Sequence, residues 1–143
     1  MKDSDESLLG GHFEPVGTTD NATFYLVADR VLAIVPFTDT DDNDTTSLQS
    51  IRFQENFWRE RGARGSCIVF MDRVLTQDRR ARENYKTAPD ASLIAGFALV
   101  TSSMLGRAVS SLFVGLSAPA VPTKVFPTMV EAMRWLTSLN QSR

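Results

Sequence analysis

An alternation of short apolar runs with segments of helical periodicity is the feature that most limits what this chain can fold into. The apolar runs are rich in β-branched and aromatic residues, as buried strands are. We predict strands at residues 22–28, 31–37, 67–72, 93–100 and 123–126. The segments that follow the second and each later strand have helical spacing, so the predicted element order is ββαβαβαβα.

The connections between these runs predict how the strands pair. Only Asp29 and Arg30 separate the first two strands, which indicates a hairpin. The later strands are joined through predicted helices at residues 45–61, 78–87, 105–116 and 128–139. Such crossovers are right-handed and join parallel strands. The sequence therefore predicts an α/β fold with a mixed, mostly parallel sheet of about five strands and helices packed on it.

Length and composition indicate a single domain. The chain has 143 residues, of which 43% are apolar and 22% charged, and a chain of this size builds a core without disulfides or metals. Residues 1–12 are polar and end in Gly10-Gly11, so we predict a flexible tail and one folded domain over residues 13–143. The acidic start lacks the pattern of a secretory signal, which predicts a cytoplasmic protein. The long apolar stretch at residues 93–116 is interpreted as a strand and a helix, without integral membrane insertion.

The scarcity of reactive side chains argues against an enzyme. The chain has one cysteine and one histidine, which excludes a disulfide and a Cys/His zinc cluster. Cys67 lies in an apolar strand, where a thiol is inert, and His12 lies in the predicted tail. The acidic residues 39–44 depart from the calcium-binding EF-hand pattern and are interpreted as a solvated loop. We therefore predict no metal, no cofactor and no catalytic residues.

The charge distribution bears on the kind of partner. The net charge of −2 argues against nucleic acid as a partner, because phosphate binding needs a field dominated by Lys and Arg. The distribution is nevertheless uneven. Residues 1–50 carry two basic and ten acidic side chains, whereas residues 51–86 carry nine basic and five acidic ones. The middle of the chain therefore presents a small basic patch.

Several segments together resemble a known family of domains. They are VFMD at 69–72, the residues Ala81, Arg82 and Tyr85, LGRAVSSLFVGL at 105–116, the run from Pro119 to Phe126, and EAMRWL at 131–136. Over residues 22–139 the chain resembles the STAS-like domains of the SpoIIAA type, and most closely an uncharacterised bacterial branch called STAS/SEC14. The resemblance implies a regulatory, protein-binding role. The phosphorylated Asp-Ser-Ser-Gly-like motif of the signalling members is absent here, where only Thr76 offers a hydroxyl group.

The loop and helix after the third strand form the candidate site for a partner or an anion. A helix N-terminus presents unpaired N–H groups, and nearby arginines add positive charge, so a phosphate or carboxylate could dock there. In the alternative interpretation, Thr76 or Asp78 caps the helix and the arginines lie in water. The candidate residues are Asp72, Thr76, Asp78, Arg79, Arg82 and Tyr85.

Two functions remain open at this point. The first is a non-catalytic regulatory module that binds a protein partner through residues 72–85. The second, which the SEC14 part of the resemblance implies, is a carrier of a small apolar or lipid-like ligand, and it requires an enclosed apolar pocket of several hundred Å3. Gly106 and Gly115 leave small surfaces on the predicted third helix, which keeps a homodimer open as well.

Overall fold

The computed structural model describes residues 4–103 and 119–141. Eight strands are present in these residues: β1 Pro15–Thr18, β2 Ala22–Ala28, β3 Val31–Pro36, β4 Thr40–Asp42, β5 Gly65–Phe70, β6 Val74–Gln77, β7 Ile94–Val100 and β8 Thr123–Phe126. Four α-helices accompany them: α1 Asp5–Leu9, α2 Asp44–Arg61, α3 Arg79–Thr87 and α4 Met129–Gln141. A 3-10 turn, Met71–Arg73, follows β5.

Six of the strands form the central sheet, in the order β1-β2-β3-β5-β7-β8. The pairs β1–β2 and β2–β3 are antiparallel, and the remaining three pairs are parallel. The predicted mixed, mostly parallel α/β sheet is thus confirmed, with one strand more than expected. That strand, β1, is short and largely exposed, and it is defined by its pairing with β2. Strands β4 and β6 pair separately and in parallel.

The predicted hairpin and the helix boundaries are confirmed by the local structure. Strands β2 and β3 pair around the turn at Asp29 and Arg30. Helix α2 begins after Asn43, which forms a capping box with Thr46, and ends at Gly62 in the left-handed conformation (φ 64°). The predicted helix at residues 105–116 lies outside the described residues.

Alternate residues along the strands supply the two apolar layers of the core, because successive side chains point to opposite faces of a sheet. On one face, Ile68 and Ala98 pack with α4 through Ala132 and Leu136. The opposite face faces α2 and α3 and includes Phe24, Leu32, Ile34, Cys67 and Phe97, with Trp58 of α2 fully buried against them. Among the described helices, none is both long and apolar enough to cross a membrane.

The N-terminal segment differs from the predicted flexible tail. Residues 5–9 form helix α1, which Ser4 caps by accepting a hydrogen bond from the amide of Ser7. Leu9 is only 5% exposed and packs in the α4 layer of the core. Asp5 forms an ion pair with Arg73 at 2.8 Å. The apolar residues Leu8 and Leu9 at the end of a polar segment pack against the core and help to anchor this helix. The polar composition of residues 1–12 did not indicate this contact.

Candidate functional site

A cavity of about 540 Å3 lies against the sheet face that α2 and α3 cover, and we call it the pocket. Side chains from three parallel strands contribute an apolar floor: Ile34 of β3, Val69 of β5, and Phe97 and Leu99 of β7. Helices α2 and α3 and strand β6 contribute the walls. Leu75 of β6, which is 66% exposed, also lines the pocket and marks its open side.

Asp42 is a buried carboxylate in the wall of the pocket, with 5% exposure. Its Oδ1 accepts hydrogen bonds from Thr46 Oγ1 at 2.6 Å and from Asn21 Nδ2 at 3.5 Å. Its Oδ2 accepts from Tyr85 OH at 2.8 Å and from Gln77 Nε2 at 3.1 Å. Four uncharged donors therefore satisfy this carboxylate, which compensates for its removal from water.

Tyr85 donates to Asp42, and Ser50 and Gln54 of α2 form a second polar contact in the wall of the pocket. Burial raises the pKa of Tyr85 well above its usual value, and the charge of Asp42 and the hydrogen bond to it add to the rise; a hydrogen bond from Ser50 opposes it. The Ser50 hydroxyl in turn accepts from Gln54 Nε2 at 3.3 Å. The phenol of Tyr85 consequently stays protonated and donates to the carboxylate.

Gln54 has one side-chain atom without a hydrogen-bond partner among the described residues. The side chain is fully buried and lines the pocket. Its Oε1 has no hydrogen-bond partner in the part of the chain that the structure describes. A buried acceptor without a donor costs about 1–3 kcal/mol. Of the described pocket residues, Gln54 is the one with a buried, unpaired side-chain polar atom.

Asp72 connects the ends of two parallel strands at the pocket. It follows β5, and its Oδ1 accepts a hydrogen bond from Thr101 Oγ1 at 2.5 Å. Its Oδ2 accepts from the backbone amide of Ser102 at 3.0 Å and from the Ser102 hydroxyl at 2.7 Å. The carboxyl ends of parallel strands lie on the same edge of a sheet, which places this carboxylate beside the residues that follow β7.

The structure brings four of the six predicted site residues together. Asp72, Thr76, Arg82 and Tyr85 all line the pocket. Thr76 Oγ1 donates to Asp41 Oδ1 at 2.5 Å, so a phosphate at this position would lie beside a carboxylate. Arg82 NH1 donates to the backbone carbonyl of Gln77 at 2.7 Å.

Asp78 and Arg79 are not among the residues that line the pocket. Asp78 caps α3 by accepting a hydrogen bond from the amide of Ala81 at 2.9 Å. The side chain of Arg79 is 86% exposed and pairs with Glu83 one helical turn later. For these two residues the structure matches the alternative interpretation, in which the aspartate caps the helix and the arginine lies in water.

Sequence reasoning missed Asp42, Ser50 and Gln54. Asp42 was assigned to a solvated acidic loop, but it lies in the short strand β4, which pairs with β6 and holds its side chain inside the protein. Ser50 and Gln54 are one turn apart on α2, and this spacing puts them on the buried face with Ile51 and Trp58. Two polar residues within a buried helical stripe were the signal that could have found this part of the site.

The structure shows the surroundings of the cysteine and the histidine that the sequence analysis considered. Cys67 is fully buried, and burial raises the pKa of its thiol well above the usual value. His12 is exposed and contacts carboxylate oxygens of Glu6 at 2.5 Å and Glu14 at 2.8 Å. Within residues 4–103 and 119–141, no group of three His, Cys, Asp or Glu side chains could hold a metal ion.

Comparisons with known proteins identify the fold and the family. The crystal structure of an uncharacterised protein of the DUF3478 family from Shewanella loihica PV-4, described as having a SpoIIAA-like fold, matches with a TM-score of 0.54. The identity is 13%, over 84% of this chain and 99% of that chain, so the expected SpoIIAA-like resemblance is confirmed at the level of the fold. No curated protein matches the chain. The model of a domain of unknown function, DUF7793, matches residues 49–140, more than half of the chain, and the chain therefore belongs to this family.

Proposed function

We propose that this domain binds a small, largely apolar organic molecule in the pocket and does not catalyse a reaction. The single observation that carries the proposal is the cavity of about 540 Å3 with its apolar floor. Binding sites for small organic molecules are typically cavities of about 300–1,000 Å3 with mostly apolar walls and a few polar groups. Of the two functions that the sequence left open, the carrier is the one that required an apolar pocket of several hundred Å3, and the cavity found here has that size but an open side.

The absence of catalysis is part of the proposal because the carboxylates of the pocket already accept hydrogen bonds from neighbouring residues. Asp42 is held by four donors, and Asp72 by three from Thr101 and Ser102. The oxygen atoms of both carboxylates are therefore already engaged by donors of the protein. Tyr85 keeps its proton, since burial raises its pKa. These groups are suited to holding the walls of the pocket in place.

The test is a titration of the isotope-labelled domain with 2-naphthol, an apolar molecule that such a cavity can hold, followed by amide NMR shifts. We expect the shifts to concentrate on β5, β7, α2 and α3. In Leu99→Trp, a larger side chain occupies the floor, and we expect binding to weaken at least about tenfold. Val130→Trp is the matched control, because Val130 is 66% exposed on α4. Shifts spread over the whole surface, or unchanged binding by a folded Leu99→Trp variant, would contradict the proposal.

A second candidate function, a regulatory module that binds a protein partner through residues 72–85, rests on a separate observation. Leu75 is a large apolar residue with 66% exposure, and the side chains of Arg79 and Arg80 are 86% and 71% exposed. An exposed apolar side chain near arginines is typical of the composition of protein interfaces.

Co-purification of partners from cells tests this second function. The double variant Leu75→Asp with Arg79→Glu is compared with Val130→Asp, which changes an equally exposed residue on α4. A protein that co-purifies with the wild type and with Val130→Asp should be absent from the double variant. If the double variant retains the same proteins, this surface is not the interface.

A further inference from the structure

We infer that the molecule held in the pocket carries a neutral hydrogen-bond donor, a hydroxyl or N–H group, that donates to Gln54 Oε1 at the inner wall. This inference rests on the proposed function and adds the chemical class of the ligand. Gln54 is fully buried, lines the pocket, and has an unpaired Oε1 within the described residues. The ligand would supply the donor that the protein does not.

The orientation of the Gln54 amide follows from its contact with Ser50. Gln54 Nε2 donates to the Ser50 hydroxyl oxygen at 3.3 Å. The nitrogen of the amide therefore faces Ser50, and the carbonyl oxygen, which has no partner within the described residues, is the atom left for a ligand.

The orientation of the Gln54 amide also determines which ligand groups can bind at this position. A carboxylate or an ether at the inner end of the ligand would place an acceptor against the Gln54 carbonyl, which leaves both unpaired. A phenol, an alcohol or an indole-like N–H supplies the missing donor. The rest of the ligand contacts Ile34, Val69, Phe97 and Leu99, which favours a body without charge. The structure thus points to an apolar molecule with a hydroxyl or N–H group at one end.

A pair of probes that differ only in the donor tests this inference. The probes are 2-naphthol and 2-methoxynaphthalene, whose affinities are measured by amide NMR titration. For the wild type we expect 2-naphthol to bind about fivefold more tightly, as one additional neutral hydrogen bond gives. In Gln54→Met, which has a similar length and no acceptor, we expect the two affinities to be equal. Gln49→Met, the same change on α2 at a residue whose side chain contacts Asp20, should keep the preference.

The possible results separate this inference from the proposed function. If Gln54→Met retains the preference for 2-naphthol, or if the wild type has none, the inference is wrong and the pocket remains a binding site. If neither probe shifts the amides around the pocket, the proposed function is wrong and the inference fails with it. If Gln54→Met does not fold, Gln54→Leu is measured in its place.

Discussion

At the scale of single residues, Asp42 has the most unusual position in the described structure. Aspartate is rarely buried to 5% exposure unless it is paired, and here the donors are the hydroxyls and amides of four neighbours. These donors come from different parts of the chain: the turn before β2, the first turn of α2, the end of β6, and α3. The carboxylate therefore holds together the segments that surround the pocket.

We expect Asp42→Asn to lower the free energy of unfolding by about 2–3 kcal/mol. The substitution keeps the shape but presents an amide N–H2 to donors that then have no acceptor. Urea denaturation followed by circular dichroism measures the effect. Asp41→Asn is the control, because Asp41 is exposed and accepts from Thr76, and we expect it to cost about 1 kcal/mol or less. Equal effects of the two changes would contradict the role assigned to Asp42.

The two tyrosines of the chain should resist ionisation. Burial, with the hydrogen bond from Tyr25 to Asp5, raises the pKa of Tyr25 to about 12, and burial raises the pKa of Tyr85 well above its usual value. In the unfolded chain both ionise near pH 10. The folded state thus binds more protons above pH 10, so stability is full below that pH and is lost as the pH rises toward 12.

A spectrophotometric titration of phenolate tests this expectation. The folded protein should show little phenolate at about pH 10.5, whereas the urea-unfolded chain should be more than half ionised there. Tyr25→Phe leaves Tyr85 as the one tyrosine observed, which separates the two groups. Phenolate formation in the folded protein at the same pH as in the unfolded chain would show that these side chains are not held as described.

At the scale of elements, the sequence predicted those strands and helices that have a clear apolar run or a helical spacing of their own. Residues 22–28, 31–37 and 93–100 were identified because their apolar runs leave no alternative to buried strands. Strands β4 and β6 were missed because they are three and four residues long, lack a buried apolar run, and pair with each other outside the central sheet. Part of the pocket was missed for the same reason. Its residues come from α2, α3, the short strands β4 and β6 and several strands of the central sheet, and only their packing brings Asp42, Ser50 and Gln54 together.

The contact between α2 and β5 depends on a glycine. A Cβ atom built on Gly65 would lie 2.3 Å from the ring of Trp58, which is fully buried. We expect Gly65→Ala to destabilise the domain by about 1–3 kcal/mol, since the indole cannot move without disturbing the core. Gly11→Ala is the control, because the nearest atom would lie at 3.8 Å, an ordinary contact. Thermal unfolding of both variants measures the difference, and a neutral Gly65→Ala would mean that α2 packs less closely on the sheet.

At the scale of the whole molecule, the described residues fill the two faces of the sheet to different degrees. On one face, α4 packs directly on the strands, with Ala132 and Leu136 fully buried. On the other face, α2 and α3 leave a cavity of about 540 Å3 above an apolar floor. Unfilled apolar space costs stability, because the atoms that line it lose contacts they would otherwise make. The described residues therefore leave this cavity unfilled, and a ligand that occupies the cavity makes the missing contacts with its lining.

This difference predicts that the ligand stabilises the whole domain. A molecule that binds only the folded state, at a free concentration about 100 times its dissociation constant, raises the free energy of unfolding by about 2.7 kcal/mol. For a domain of this size that corresponds to a rise in Tm of about 8 °C. We therefore expect the Tm measured by calorimetry to increase with 2-naphthol concentration in the wild type and in Val130→Trp. Leu99→Trp, whose side chain occupies the floor, should show a clearly smaller rise in Tm at the same probe concentrations, because it binds the probe more weakly. A wild-type Tm that is equally insensitive would mean that the cavity is not used for binding, whatever its size.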